Sequence, residues 1–239
     1  MLINAKGIDH KKLNDMLRGA GNDFIIEECL GQRFIAAGMS DKHIEINGIP
    51  GNALGAFLNG ADIKVNGNAQ DSVGDTMNSG SITICGNVGD AVGYAMRGGS
   101  IYVRGNAGYR AGIHMKEYRD RFPVIVIGGK AGSFLGEYQA GGIIIVLGLG
   151  VKDDNIVGNF PCTGMHGGKV FIRAAAGKIK FPRQVLSSPS GSEDMSIIEK
   201  YVSRFCEKFG YSPSAVMAHP FTTVYPDSAN PYRQMYVSN

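Results

Sequence analysis

Short runs of β-branched and other apolar residues recur along the middle of this chain, and successive runs are 19 residues apart. Within each run the first and third residues would lie on one face of a β-strand, because side chains alternate across a strand. The regularly spaced strands are predicted to start at Ile25, Ile44, Ile63, Ile82 and Ile101. A unit this short cannot bury its apolar face alone, so successive units are predicted to stack into one column.

Three more predicted strands continue the column. They start at Val124, Ile143 and Val170, after intervals of 23, 19 and 27 residues. The two longer intervals contain the segments MKEYRDRFP and GVKDDNIVGNF. Insertions that leave the flanking units in register are typical of surface loops on a solenoid. Parallel stacking predicts two internal ladders, which are Ile44, Ile63, Ile82 and Ile101, and beside them Ile46, Val65, Ile84 and Val103.

Other residue types recur in phase with the strands. Glycine, with 35 of the 239 residues, stands at two fixed offsets in four consecutive units and predicts corners or close approaches between coils. These glycines are Gly48, Gly67, Gly86 and Gly105, and then Gly55, Gly74, Gly93 and Gly112. Large side chains five residues before a strand are predicted to fill the interior, namely Met39, Leu58, Met77, Met96, Tyr138 and Met165. Asn68, Asn87 and Asn106 share one offset, which predicts a structural ladder of hydrogen bonds.

The repeat predicts an all-β fold, a right-handed single-stranded parallel β-helix of about 7–8 coils. A left-handed hexapeptide β-helix would repeat every six residues, and the chain shows no such sub-period. A calcium-binding nonapeptide roll would repeat the motif GGxGxD. Asp71 and Asp90, however, have no acidic equivalent one unit later, where Tyr109 stands.

The two ends of the chain depart from the repeat, which predicts three regions. Residues 1–24 are predicted to form a helical cap, residues 25–175 the β-helix, and residues 176–239 a helix and an irregular tail. The C-terminal helix is predicted to take Ser190 or Ser192 as its N-cap and to end at Gly210. Its predicted apolar face consists of Ile198, Tyr201, Val202, Phe205 and Phe209. The tail carries Phe221, Tyr225, Tyr232 and Tyr236 and is predicted to pack along the column or onto a partner.

Composition and motifs argue against several classes of function. A formal net charge of +3 does not indicate the strongly basic surface of a nucleic-acid-binding protein. The longest apolar run is shorter than the ~20 residues of a membrane helix. Four scattered cysteines without CxxC spacing argue against a metal or redox motif and favour a reduced, cytoplasmic location. The five histidines form no HExxH pair, and Leu2 rather than cysteine follows Met1. No catalytic, cofactor-binding or metal-binding residue is therefore predicted.

The repeats themselves resemble a known family. The segments GNALGAFLNGADIKVNGNAQDSVGDTMNSGS and GNVGDAVGYAMRGGSIYVRGNAG are similar to the GXGXG domain of glutamate synthase, the C-terminal β-helix of its large (alpha) subunit. The same repeat also occurs in one of the subunits of formylmethanofuran dehydrogenase. The resemblance covers roughly residues 25–175, and the C-terminal segment PFTTVYPDSANPYRQMY looks like that of free-standing glutamate-synthase-type subunits.

The resemblance implies a non-catalytic assembly subunit in glutamate biosynthesis. In the family, a glutamine amidotransferase subunit releases ammonia, and an FMN-dependent synthase subunit with an iron-sulfur cluster carries the reductive step. The chain is expected to hold these two partners and to contain no cofactor itself. The alternatives are a component similar to the repeat-bearing subunit of formylmethanofuran dehydrogenase, and a stand-alone β-helix enzyme with a site near His114 and His166. Strand edges at the ends of the column also allow homo-oligomers.

The first insertion is the predicted partner interface, because Arg and Tyr are enriched where proteins bind each other. The candidate residues are Tyr109, Arg110, His114, Lys116, Tyr118, Arg119 and Arg121. The second insertion, residues 152–160, is a weaker candidate.

Overall fold

The computed structural model describes residues 1–152 and 155–228. This part of the chain contains eleven strands and three helices. The strands are β1 (Leu2–Asn4), β2 (Asp23–Leu30), β3 (His43–Ile49), β4 (Asn59–Val65), β5 (Ser79–Ile84), β6 (Gly99–Val103), β7 (Pro123–Ile127), β8 (Ala140–Val146), β9 (Gly167–Ile172), β10 (Val185–Pro189) and β11 (Thr222–Pro226). The helices are α1 (His10–Arg18), α2 (Ser192–Phe209) and α3 (Pro213–Met217).

All eleven strands belong to one sheet with the order β1-β2-β3-β4-β5-β6-β7-β8-β9-β11-β10. Strands β1 to β9 follow one another in parallel, as expected when each coil lays one strand on the previous coil. The chain is a parallel β-solenoid of about seven turns, which confirms the predicted β-helix. At its C-terminal end β11 pairs antiparallel with both β9 and β10 and thereby covers the last parallel edge.

The predicted internal ladders are confirmed for the regular coils and corrected outside them. Ile44, Ile63, Ile82 and Ile101 pair in register and are buried. The ladder begins with Phe24, however, and continues through Ile125, Ile144 and Val170. The predicted positions Ile25, Val124 and Ile143 were therefore wrong by one residue, and their side chains lie on the outer face.

The wrong positions at Val124 and Ile143 have a physical cause. A period of two assigns faces only when one face is polar, and β7 and β8 are apolar on both faces. Their outer face is buried because α2 packs across it. The second core, between α2 and the sheet, contains Tyr102, Val124, Val126, Ile143, Ile145, Leu147, Phe171, Ile198, Val202, Phe205, Cys206, Val216 and Phe221.

The glycines at the second predicted offset line the wall opposite the sheet. At Gly55, a Cβ atom would lie 2.7 Å from Cδ1 of Ile82. The same holds one coil later for Gly74, whose Cβ would overlap Cδ1 of Ile101. The isoleucine side chains thus reach across the interior to this wall. A residue larger than glycine occupies the equivalent position only in the two terminal coils, where Ala36 and Cys162 stand.

The asparagine ladder is confirmed, and it explains the glycine that precedes each asparagine. Oδ1 of Asn68 accepts the backbone N–H of Asn87 at 2.8 Å, and Oδ1 of Asn87 accepts that of Asn106 at 2.7 Å. A Cβ atom at Gly86 would overlap the Asn68 amide oxygen. Each coil therefore needs glycine where the amide of the coil before it passes.

The interior ladder of large side chains contains one unexpected polar residue. Met39, Leu58, Met77, Met96 and Met165 are buried as predicted. Tyr138 was predicted next in this ladder, but Gln139 is the buried residue, fully enclosed, and Tyr138 lies outside. The Gln139 side-chain amide donates to the carbonyl oxygens of Gly141 and Gly142 at 3.2 and 3.1 Å. It satisfies backbone groups at the irregularity where β8 begins.

The two chain ends also differ from the regular coils. Asp9 caps α1, which buries Leu13 and Leu17 in the column core. The N-cap of α2 is Gly191 rather than a serine, because the Ser190 hydroxyl instead bonds that of Thr223 at 2.8 Å. The predicted irregular tail is wrong for residues 222–226, which form β11. The predicted contacts of Tyr232 and Tyr236 lie outside the described residues.

Candidate partner-binding surface

The wall opposite the sheet consists of turn segments in which alternate residues have left-handed backbone. Two rows of outward positions flank the inward glycine row, and their non-glycine members have φ between 49° and 63°. The first row is Phe34, Ala53, Ser72, Ala91, Arg110, Phe134 and Phe160, and the second contains Phe57, Thr76, Ala95, His114 and Tyr138. The rows change from small residues in the middle coils to aromatic and basic residues in the last three.

The large residues of the last coils contact one another. We call Tyr94, Arg110, His114, Phe134, Glu137, Tyr138 and Phe160 the turn cluster. The His114 and Tyr138 rings stack with centroids 5.2 Å apart, and Tyr94 meets His114 edge-on at 6.0 Å. Phe134 stacks on Phe160 at 5.5 Å. The cluster thus contains two aromatic stacks, which together extend over four coils and are linked through Arg110.

A cation is held within this aromatic surface. The Arg110 guanidinium lies 5.4 Å from the centroid of the Phe134 ring. Its Nε also donates to Oε2 of Glu137 at 3.0 Å. Glu137 is 9% exposed, so its carboxylate is shielded from water and holds the guanidinium in a defined place. An arginine that is oriented before binding loses less entropy when a partner covers it.

Much of this apolar surface remains open to solvent. Phe160 is 64% exposed and the neighbouring Tyr109 is 58% exposed. A non-glycine residue in left-handed backbone destabilises the fold by about 1 kcal/mol or more. An exposed aromatic ring does not offset this cost, because it removes little apolar surface from water. Aromatic residues and arginine are enriched at the centres of protein interfaces. The arrangement is therefore suited to binding another protein.

The seven residues predicted from the first insertion are all exposed and lie on or beside the turn cluster. Arg110 and His114 belong to it. Tyr118 has the guanidinium groups of Arg119 and Arg97 at 5.3 and 6.0 Å from its ring centroid. Backbone bonds between Tyr118 and Arg121, at 3.2 and 3.1 Å, close the insertion into a tight turn. Their role as an interface remains a prediction.

The sequence analysis identified the turn cluster only in part. Tyr94, Phe134 and Glu137 were not singled out as interface candidates, Phe160 was included only as the last residue of the weaker candidate at 152–160, and Tyr138 was placed in the interior. Phe134 and Phe160 take the place of Arg110 in the two following coils. Aligning these coils in the observed register would therefore have identified Phe134 and Phe160. Within the second insertion, residues 153 and 154 lie outside the described residues.

Burial keeps two of the cysteine thiols from ionising. Burial raises the pKa of the Cys29 thiol to about 11 and that of the Cys162 thiol to about 12, so both stay protonated near neutral pH. Residues 1–152 and 155–228 contain no group of three or more His, Cys, Asp or Glu side chains placed to hold a metal ion. In the same part of the chain, no helix is both long and apolar enough to span a membrane.

Comparisons with known proteins agree with this architecture. A family model described as the GXGXG motif matches residues 8–228. An uncharacterized protein of Methanocaldococcus jannaschii is 41% identical over 250 residues, covering 99% of this chain and 96% of the relative. A solved chain of the formyltransferase/hydrolase complex (FhcABCD) from Methylorubrum extorquens, in complex with methylofuran, has a TM-score of 0.65 and 19% identity. The match covers 84% of this chain and 72% of that chain, and at this identity it establishes the fold alone.

Proposed function

This chain belongs to the GXGXG motif family, and we propose that it is a non-catalytic assembly subunit of a glutamate synthase-type complex. Its partners are a glutamine amidotransferase subunit and a synthase subunit that carries FMN and an iron-sulfur cluster. The turn cluster is the surface that binds one of them. The rigid column keeps the two partners at a constant separation while each performs its own chemistry.

The observation that carries this proposal is the exposed aromatic and basic surface of the last three coils. Phe134 and Phe160 occupy outward left-handed positions where Ala53 and Ala91 suffice, although Phe34 and Phe57 are exposed in the first coils of the same rows. The column itself does not need large side chains there. A partner that covers Phe160 and Tyr109 would gain about 25 cal/mol for each Å² of apolar surface removed from water.

Reconstitution tests the proposal directly. The chain is co-expressed with the amidotransferase and FMN-dependent synthase subunits of a glutamate synthase-type enzyme, and the complex is sized by chromatography with light scattering. We expect one particle that contains all three chains. The variant R110A/Y138A/F160A should lose at least one partner while keeping the far-ultraviolet circular dichroism of the native chain. Separate elution of the unaltered chain in the presence of both partners would contradict the proposal.

A second candidate function follows from the structural neighbour. The similar FhcABCD chain belongs to a multi-subunit formyltransferase/hydrolase complex, so this chain could serve as the corresponding repeat-bearing component of a formylmethanofuran dehydrogenase. Co-expression with the other subunits of that enzyme gives the distinguishing measurement. Stable assembly with those subunits, and none with the glutamate synthase set, would favour the second candidate.

A further inference from the structure

In the part of the chain that the structure describes, helix α2 covers only half of the outer face of the sheet. It packs on β6 to β9, and no described helix packs on the outer faces of β2 to β5. A groove of about 940 Å³ lies between α2 and these uncovered strands. We call it the sheet groove. It lies on the wall opposite the turn cluster, because the isoleucine ladder separates the two walls.

One row of outward side chains shows how the floor of the groove changes along the column. In successive strands, paired residues are Glu45, Lys64, Thr83, Tyr102, Val126, Ile145 and Phe171. The row is charged in β3 and β4, carries hydroxyl groups in β5 and β6, and is apolar where α2 covers it. Tyr102 stands at the boundary, beneath the edge of the helix.

The far end of the groove carries more carboxylates than side-chain cations. Lys64 Nζ lies 3.0 Å from Oε1 of Glu45, whereas Asp62 faces the His43 imidazole at 3.5 Å and Asp23 also lines the groove. An anion is therefore not favoured at that end. The other lysine and arginine side chains that line the groove are on α2.

Two cations without a carboxylate partner form the α2 wall. Arg204 and Lys208 line the groove, and within the described residues neither has a carboxylate within 4.0 Å. Glu207 is the one acidic residue that α2 contributes to this wall, so two positive charges oppose one negative charge. Lys208 Nζ lies 5.2 Å from the centroid of the Tyr102 ring.

The Tyr102 hydroxyl is a buried polar group with no hydrogen bond of good geometry. Tyr102 is 1% exposed, and among the described residues no group meets its hydroxyl at hydrogen-bonding distance and angle. Burial raises its pKa above the ordinary value, while the polar groups of Arg204 and Ser100, which lie close to the hydroxyl, act in the opposite direction. An unsatisfied buried hydroxyl costs about 1–3 kcal/mol. Packing does not require it, because Phe171 fills the same row without one.

We propose that the α2 end of the sheet groove binds a small anion that carries a carboxylate or phosphate group. Arg204 and Lys208 supply the charge, and the hydroxyls of Tyr102, Ser100 and Thr83 donate hydrogen bonds to the anion's oxygens. Such charge-assisted hydrogen bonds are roughly twice as strong as neutral ones. Charged arginine and lysine are donors without acceptor atoms, so these two side chains favour an anion over a cation at this end of the groove.

The binding test uses inorganic phosphate and succinate as separate probes, each titrated into the full chain at low ionic strength and followed by amide chemical shifts. We expect saturable binding of at least one, with the largest shifts at Tyr102 and along the last turns of α2. R204Q should weaken binding about tenfold or more, since a hydrogen bond to a charged group contributes about 1.5–3 kcal/mol. Y102F should weaken it about threefold to tenfold.

Lys200→Gln is the matched control, because it removes the same charge from an exposed position of the same helix outside the groove. K200Q should bind like the native chain. Melting temperature is a second readout that separates binding from folding. Without the anion, Y102F should melt at a higher temperature than the native chain, because it lacks the buried hydroxyl. Addition of the anion should raise the melting temperature of Y102F less than that of the native chain. Absence of saturable binding by both anions, or equal weakening by K200Q and R204Q, would overturn the proposal. Either result leaves the partner-binding role of the turn cluster untouched, because that cluster lies on the opposite wall.

Discussion

The two outer walls of the column carry similar apolar residues in the same coils but meet different surroundings. On the sheet wall, Val126, Ile145 and Phe171 are buried because α2 of the same chain covers them. On the turn wall, Phe134 and Phe160 project from the coils at the same end of the column, and Phe160 is 64% exposed. Within residues 1–152 and 155–228, the chain thus covers only the sheet wall. The uncovered apolar wall is the one expected to meet another protein.

The sharpest way to break this comparison is to make the same substitution on both walls. Phe205→Ala removes a fully buried ring of α2, and we expect the free energy of unfolding to fall by about 3–5 kcal/mol. Phe160→Ala removes a ring that is mostly in water, and we expect a change of about 0.5 kcal/mol or less. Urea denaturation measures both. Equal losses would mean that the two walls are not energetically different.

The glycine wall gives the next largest expected effect. Gly93 has φ +68°, and a Cβ atom there would overlap Cδ1 of Ile125 inside the column. Gly93→Ala should therefore cost about 3 kcal/mol, since left-handed backbone and overpacking each contribute about 1–3 kcal/mol. Ala91→Gly, two residues earlier on the outward row, is the matched control and should be neutral or stabilising by about 1 kcal/mol. A tolerated alanine at Gly93 would show that the interior can adjust.

An effect of intermediate size is expected on assembly rather than on folding. Arg110→Ala removes the guanidinium held between Phe134 and Glu137. If the turn cluster is an interface centre, partner affinity should fall by about 2 kcal/mol, roughly thirtyfold. Titration calorimetry with the reconstituted partner measures this change. Arg18→Ala, an exposed arginine on α1, provides the comparison and should leave affinity unaltered.

The smallest expected effect concerns the ladder that joins the coils. Asn87→Ala removes the amide oxygen that accepts the backbone N–H of Asn106, and we expect a loss of about 1 kcal/mol. The loss should be local, visible as faster amide hydrogen exchange at Asn106 than in β4 or β8. Unchanged exchange at Asn106 would show that water replaces the side chain at no cost.

Much of the column was predictable from the sequence because its constraints recur in every coil. Ile44, Ile63, Ile82 and Ile101 were placed correctly, since four units share one offset. The candidate surface was predictable only in part. Arg110 and His114 were found through their neighbouring charge run, and Phe160 fell within the weaker candidate at 152–160, whereas Phe134 required the register of the coil that follows the first insertion.

The amino-acid sequence by itself determined the repeat, the parallel stacking, the glycine positions and the asparagine ladder, because each depends on contacts between equivalent residues 19 positions apart. Tertiary structure alone decided which face of β7 and β8 points inward. Because α2 buries their outer face, that face carries apolar residues, and no polar residues distinguish it from the inner face. It also decided that residues 222–226 form a strand, and that Gln139 rather than Tyr138 is enclosed. These outcomes depend on contacts between segments that share no repeat, so no local pattern could contain them.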